Sequence, residues 1–265
     1  MSVGTRIYES IGRIGPYSLA LLFAFVATIG LMLAGIAPGI EQSNRDLRSS
    51  IFDRSASGDI IVVEMDSQSL KEIGSWPWTR EIHAKLLQEL SNKGASQIAF
   101  DVDFSASSNA EADQRFADTI RTLNAQVILA TFRQRRSTLS DEYVENLPLN
   151  LFRSNALLAS VNVHPDALGQ VSYYAYGTQI DGHPRPTLAA MLTNSDGQIE
   201  SSFLLDQAID LNTIPSISAV DIINGSVKRE QIDGRSFIIG ATAIELGDNY
   251  ATPHVGVVPG VFIHA

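Results

Sequence analysis

The chain has 265 residues, a formal net charge of −10 and no cysteine. The lack of cysteine excludes disulfide bonds, cysteine-ligated zinc and thiol catalysis. The acidic balance argues against a nucleic-acid partner, because phosphates need a basic surface. The sequence also contains no Walker A loop, no Gly-x-Ser-x-Gly elbow and no paired-histidine zinc motif. No motif therefore predicts a catalytic residue, a bound metal or a cofactor.

The first notable feature along the chain is the segment 14–40, which carries no charged residue and is densely apolar. A helix needs about 20 such residues to cross the bilayer core. A cleaved signal peptide would have a shorter apolar region of about 7–15 residues, and a buried core helix would normally show a polar face. We therefore predict a cytoplasmic tail over 1–15 and a transmembrane helix over 16–40, with the lipid bilayer as a partner.

The flanking charges orient this segment only weakly. Two arginines precede it, and the three that follow it by residue 54 are matched by three acidic residues. The positive-inside rule therefore does not decide the orientation. The short N-terminal tail favours a cytoplasmic N-terminus in the inner membrane, with residues 41–265 forming a domain on the periplasmic or extracellular side.

That domain reads as an alternation of strands and helices. Four apolar, β-branched runs predict strands at 58–66, 97–104, 126–132 and 236–241. Helical spacing and capping residues predict a short helical turn from Ser67 and helices over 79–94, 111–123, 186–193 and 218–224. Such an order predicts an α/β fold in which helices cover both faces of a single, mainly parallel sheet, in three layers.

The remaining segments are less regular. Residues 133–155 predict an irregular excursion, and 156–163 with 171–176 predict two strands of a hairpin. His83 is predicted to be exposed on its helix. The Trp76-Pro77-Trp78 corner is interpreted either as a latch over the core or as a surface that stacks on a ligand.

Three carboxylates follow the first two predicted strands. Asp66 ends the first, and Asp101 and Asp103 are two apart in the second, which would place both on the same face. Ligands of open α/β sheets gather at this edge. The group could hold Mg²⁺ or Ca²⁺, or divide into a general acid and a general base. Alternatively, Asp66 and Asp103 cap a loop or the following helix.

A second group of candidate residues follows the last predicted strand. Thr242 lies in a loop of small residues whose backbone amides could approach an anion, and Asp248 follows it. Both could join the acidic group if this strand lies beside the first two. An ordinary tight turn with helix capping is the alternative. The ligand-binding candidates are thus Asp66, Asp101, Asp103, Thr242 and Asp248.

Taken together, these motifs resemble the type-two CHASE domain, over about 45–265. The resemblance rests on Val62–Asp66, Ser69-Leu70, Gly74–Trp78, Arg80, Ala99–Phe104, Ile239–Thr242, Gly247-Asp248, Thr252-Pro253, Pro259–Val261 and Ile263–Ala265. It implies a sensory domain outside the cytoplasm in a bacterial signalling protein. Such proteins usually continue into a cyclase, a kinase or a cyclic-di-GMP enzyme, so we expect either a fragment that lacks its C-terminal continuation or an output partner on a separate chain.

Three functions remain open at this point. The first is a non-enzymatic sensory module, expected to be a homodimer, that binds an unknown extracytoplasmic ligand. The second is a membrane-tethered hydrolase that uses a divalent metal at Asp66, Asp101 and Asp103. The third is a structural or assembly protein without a ligand.

Overall fold

The computed structural model describes residues 16–33 and 53–265. Residues 53–265 form one compact unit, and the other unit covers residues 1–52. The predicted cytoplasmic tail over 1–15 and the second part of the predicted span, 34–40, lie outside the described residues.

Helix α1, Pro16–Leu33, is the one described element of the first unit and has 18 residues. It begins at a proline. Proline is tolerated in the first turn of a helix because the N–H that it lacks would have no partner within the helix there. The side chains of residues 17–30 are exposed. No helix within the described ranges is both long enough and apolar enough to span a membrane.

The second unit alternates strands and helices. Its strands are β1 Ile60–Met65, β2 Gln97–Phe100, β3 Gln126–Arg135, β4 Tyr143–Asn146, β5 Leu157–Ser160, β6 Tyr173–Ala175, β7 Gly177–Ile180, β8 His183–Pro186, β9 Ser202–Leu204, β10 Ser216–Ser218, β11 Ser236–Ala241, β12 Asn249–Thr252 and β13 Gly256–Pro259. Its α-helices are α2 Ser67–Ile73, α3 Arg80–Asn92, α4 Ala110–Thr122, α5 Asn150–Arg153, α6 Leu188–Leu192, α7 Ala219–Ile223 and α8 Gly260–His264.

The central sheet has seven strands in the order β10-β1-β11-β2-β3-β4, with β5 also paired to β3. All pairs are parallel except β3 with β4. The predicted mainly parallel sheet is therefore confirmed. Strand β11, last of the predicted strands in sequence, lies between β1 and β2, so the ends of these three strands are neighbours.

Alternating side chains of the strands point into two separate cores, as the period of two in a strand requires. On one face Ile61 and Val63 join a large cluster with helices α3, α4 and α7. On the other face Val62 joins a smaller cluster that includes Leu188 of α6 and Val261 of α8. Helices thus cover both faces, which makes three layers.

The structure differs from the sequence prediction in three places. The segment 133–155 was predicted to be irregular, but part of it is regular: β3 continues to Arg135 and pairs with β4. The predicted hairpin between 156–163 and 171–176 is wrong, since β5 pairs in parallel with β3 and β6 pairs with β9. The second strand ends at Phe100 rather than Phe104.

The prediction of an exposed His83 is also wrong. Its ring is 1% exposed and packs edge-on against Phe100 and Phe104, with centroids 5.7 and 5.2 Å away. Burial, with the positive charge of Arg80, lowers the pKa of His83 to about 3, so the ring is neutral. Nearby, the guanidinium Nε of Arg80 donates to Oδ1 of Asp113 at 3.1 Å, and both side chains are buried.

Candidate functional site

A pocket of about 310 Å³ opens at the edge where β1, β11 and β2 end. This is the position at which open α/β sheets bind ligands, because loops after parallel strands leave a crevice there. The pocket is lined by Met65, Trp76, Asp101, Val102, Asp103, Phe132, Val161, Asn162, Val163, Ala241, Leu246, Asp248, Tyr250 and His264. Three of the five predicted site residues, all of them carboxylates, are among these.

Asp101 is the most buried of the three carboxylates. It directly follows β2, and its backbone N–H donates to the carbonyl of Ile239 at 2.8 Å. Its side chain packs over Gly240, where an added Cβ would lie only 3.3 Å from the Asp101 Cβ. The side chain is 7% exposed. Burial and the nearby charge of Asp248 raise the pKa of Asp101 to about 8, so the carboxyl is mostly protonated at neutral pH.

His264 connects Asp101 to the interior. The two side chains approach at 3.5 Å, from Nε2 to Oδ2, and the His264 side chain is 2% exposed. On its other side, Nδ1 lies 2.6 Å from the hydroxyl of Tyr174. Burial lowers the pKa of His264 to about 3 and raises the pKa of Tyr174 far above its ordinary value. The ring is therefore neutral, and one of its two nitrogens faces the hydroxyl of Tyr174 while the other faces Asp101, so the contact with Asp101 is not an ion pair at neutral pH.

Sequence analysis predicted Asp101 as a site residue but not its contact with His264, nor that of His264 with Tyr174. Tyr174 and His264 are 90 residues apart, and neither belongs to a motif of known spacing. His264 was noticed only as part of the terminal run of the family resemblance. Tyr250, which also lines the pocket, was not singled out for any role.

Asp248 and Tyr250 line the pocket and are each partly buried. Gly247, with φ of 74°, makes the left-handed turn that leads into this segment. Burial raises the pKa of Asp248. The pKa of Tyr250 rises to about 12, first because of burial and then because of the negative charges of Asp248 and Asp101. Negative charge therefore builds up in this part of the pocket as the two carboxyls ionise.

Asp103 lies in a different environment from Asp101. Because β2 ends at Phe100, the two residues do not share a strand face, and that expectation is wrong. Asp103 is exposed, and its Oδ1 accepts from the N–H of Ser105 at 2.7 Å, which is a local turn. It reaches the pocket wall from the solvent side.

Asp66 and Thr242 are not part of the pocket lining. Asp66 is the N-cap of α2, since its Oδ1 accepts from the N–H of Ser69 at 2.8 Å and from the hydroxyl of Ser218 at 2.9 Å. This matches the capping alternative. Thr242 donates its backbone N–H to Met65. Its hydroxyl is buried without a hydrogen-bond partner in the described part of the chain.

The two tryptophans of the Trp76-Pro77-Trp78 corner have different environments. Trp78 is buried, and its Nε1–H donates to the carbonyl of Gly74 at 2.8 Å, so it is the latch. Trp76 is 36% exposed and lines the pocket, where it is available to stack on a ligand.

No group of three or more His, Cys, Asp or Glu side chains within residues 16–33 and 53–265 is arranged to hold a metal ion. Asp66 is engaged in capping, and Asp101 and Asp103 differ in burial and direction. The metal-dependent hydrolase that the sequence left open therefore has no metal site among the described residues.

Comparison with known proteins gives one match. Residues 21–265 match the family model of the CHASE2 domain. The chain belongs to the CHASE2 domain family. No curated protein and no solved structure matches it. CHASE2 domains are sensory extracellular domains of signalling proteins and are not themselves catalytic.

Proposed function

We propose that this CHASE2 domain is the extracytoplasmic input domain of a bacterial inner-membrane signalling protein. A transmembrane helix over 16–40 holds it, with residues 1–15 in the cytoplasm. The uncharged run 14–40 supports this anchor, as do the exposed apolar side chains of α1, among them Leu21, Phe23 and Phe25.

The signal is received in the pocket at the sheet edge. The observation that supports this is the buried carboxyl of Asp101, which faces a cavity of about 310 Å³. A ligand that binds one conformation of this pocket better than another shifts the population between them.

The contacts of α8 provide a route from the pocket to the rest of the fold. His264 of α8 reaches Asp101, and Val261 packs so closely on β11 that a Cβ at Gly240 would lie 2.7 Å from it. A ligand that moves Asp101 therefore acts on α8 and on the central strand together. We further propose that the domain works as a homodimer and drives a cytoplasmic cyclase, kinase or cyclic-di-GMP enzyme.

The orientation is tested by reporters fused after Ala265 in the complete chain. An alkaline phosphatase fusion should be active and a green fluorescent protein fusion dark, because phosphatase folds only outside the cytoplasm. The opposite pattern, or release of the protein from membranes by a carbonate wash, contradicts the proposal.

The sensory role is tested in the protein joined to its output enzyme. Asp101→Asn and Asp248→Asn should each change the output signal without changing protein abundance, whereas Asp141→Asn, at a fully exposed carboxylate, should not. Unchanged output in both pocket variants would contradict a sensory pocket. Together with a specific crosslinked partner, that result would favour the assembly protein instead.

A further inference from the structure

The pocket at the sheet edge has an unusual charge balance. Three carboxylates line it, from Asp101, Asp103 and Asp248, and no lysine or arginine does so among the described residues. His264 adds no positive charge, because burial keeps its ring neutral. As these carboxyls lose their protons, their negative charge is not compensated by the side chains that form the pocket.

Asp101 also lacks a hydrogen-bond donor of good geometry. In the described part of the chain its carboxyl oxygens accept no hydrogen bond, and the approach of His264 Nε2 is long, at 3.5 Å. The side chain is 93% buried, so few donors other than those of a bound molecule can reach its oxygens. The oxygens instead face the cavity. A ligand with N–H groups would supply the missing donors.

The side-chain amide of Asn162, a neutral polar group in the pocket wall, already makes two hydrogen bonds within the protein. Its Oδ1 accepts from the N–H of Arg133, and its Nδ2 donates to the carbonyl of the same residue, both at 2.7 Å. Asn162 therefore pairs with the backbone of β3 and does not hydrogen-bond to Asp101. The polar chemistry left for a ligand is that of the carboxylates and the hydroxyl of Tyr250.

The rest of the wall is apolar and aromatic. Trp76 and Phe132 offer ring faces, and Val161, Val163 and Leu246 offer aliphatic surface. Aromatic faces attract cations, and aliphatic walls accept a hydrocarbon body. A volume of about 310 Å³ is at the small end of ligand pockets, which suits a molecule of roughly ten non-hydrogen atoms.

We propose that this pocket binds a small organic cation with a primary ammonium group, whose N–H bonds go to Asp101 and Asp248 while its apolar body contacts Trp76 and Phe132. The inference rests on the proposed sensory function and names the ligand class of that same pocket. The N–H groups matter because Asp101 lacks donors, so a quaternary ammonium of the same charge fits less well. A bare divalent metal is disfavoured because the described residues offer it no third ligand of the required kind.

The experiment is calorimetric titration of the complete chain, reconstituted in lipid nanodiscs, with 2-phenylethylammonium chloride at pH 8.5. Two matched probes accompany it: 2-phenylethanol, which lacks the charge, and 2-phenylethyl-trimethylammonium, which keeps the charge but lacks the N–H groups. Magnesium chloride is the fourth arm. We expect saturable binding of the primary ammonium, at least tenfold tighter than binding of each of the other three.

Asp101→Asn should weaken ammonium binding at least tenfold, and Asp141→Asn should leave it unchanged. The affinity for the ammonium should also rise at least fivefold from pH 6 to pH 8.5, because a bound cation favours the deprotonated form of Asp101. The other titratable groups of the pocket and its surroundings are His264, Tyr174, Tyr250, Asp103 and Asp248. The two tyrosines keep their protons and His264 stays neutral over this range, whereas any ionisation of Asp248 acts in the same direction.

Equal binding to the Asp101→Asn variant, equal binding of the alcohol, or saturation by magnesium alone would each overturn the ammonium assignment. Circular dichroism of the variant confirms that it is folded, and Asp248→Asn serves as the second pocket variant if it is not. The proposed function fails separately. An inactive phosphatase fusion would refute the sensory topology even with ammonium bound, whereas altered output in Asp101→Asn without ammonium binding would refute only the ligand class.

Discussion

Replacing Asp101 with asparagine should stabilise the protein at alkaline pH and leave it almost unchanged near pH 4. Asparagine has the shape of the protonated carboxyl but does not ionise. Its amide can face Nε2 of His264, 3.5 Å away, as the carboxyl does. The substitution therefore removes a buried charge and little else.

The size of the effect follows from the shifted pKa. Burial and the charge of Asp248 raise the pKa of Asp101 from 3.8 to about 8. Between these values the folded protein holds a proton that the unfolded chain has released, so stability falls as the pH rises through this window. Roughly four pKa units, at about 1.36 kcal/mol each, give a limit on the order of 5 kcal/mol at pH 8. Water that enters the pocket solvates the charge and makes the actual loss smaller.

Two buried histidines work in the opposite direction. The pKa values of His83 and His264 fall from 6.5 to about 3, mainly through burial. Below pH 6.5 the unfolded chain takes up protons that the folded rings refuse, so stability falls as the pH drops towards 3. The native protein should therefore be most stable near pH 6.5, and Asp101→Asn should flatten the decline on the alkaline side.

The measurement is urea unfolding of the complete chain from pH 4 to pH 9, followed by circular dichroism. Asp141→Asn is the control, because its fully exposed carboxylate should leave the pH curve unchanged. A gain for Asp101→Asn that is the same at every pH would refute the argument from ionisation. A loss at pH 8 would refute it more strongly.

Three further predictions use the buried polar groups and the close packing of α8 on β11. Arg80→Met should lower the free energy of unfolding in urea by about 3–5 kcal/mol, because it leaves the Asp113 carboxylate buried without its guanidinium partner. The double variant with Asp113→Leu should recover much of the lost stability, and no recovery would contradict a coupled pair. His83→Phe should stabilise the protein about 2 kcal/mol more at pH 5 than at pH 7, because at pH 5 the histidine is protonated in the unfolded chain but neutral in the folded one. An equal gain at both pH values would contradict this explanation. Gly240→Ala should lower stability by about 1–3 kcal/mol in thermal unfolding, because its Cβ would lie 2.7 Å from Val261, and an unchanged melting temperature would show that α8 yields freely.

Much of the fold could be predicted because it depends on local pattern. Apolar β-branched runs such as 60–65 and 236–241 are strands wherever both faces of a sheet are covered, and the spacing within α3 and α4 buries one helical face. The position of the site also followed, since strands that run parallel end at one edge. Asp101 and Asp248 both line the pocket at that edge, and their role as ligand-binding residues stays a prediction.

The environment of each side chain was decided only by tertiary structure. Burial depends on which distant elements pack together, and this separates Asp101 from Asp103, two residues away, and hides His83 among phenylalanines. Asp66, like Asp101, directly follows a strand of the central sheet. It is nevertheless a helix cap, because the N–H of Ser69 and the hydroxyl of Ser218 donate to its carboxylate. The sequence by itself determined an acidic α/β domain with carboxylates at one sheet edge. Packing across long chain separations buried one of them and raised its pKa, because desolvation is a property of the neighbours and not of the residue.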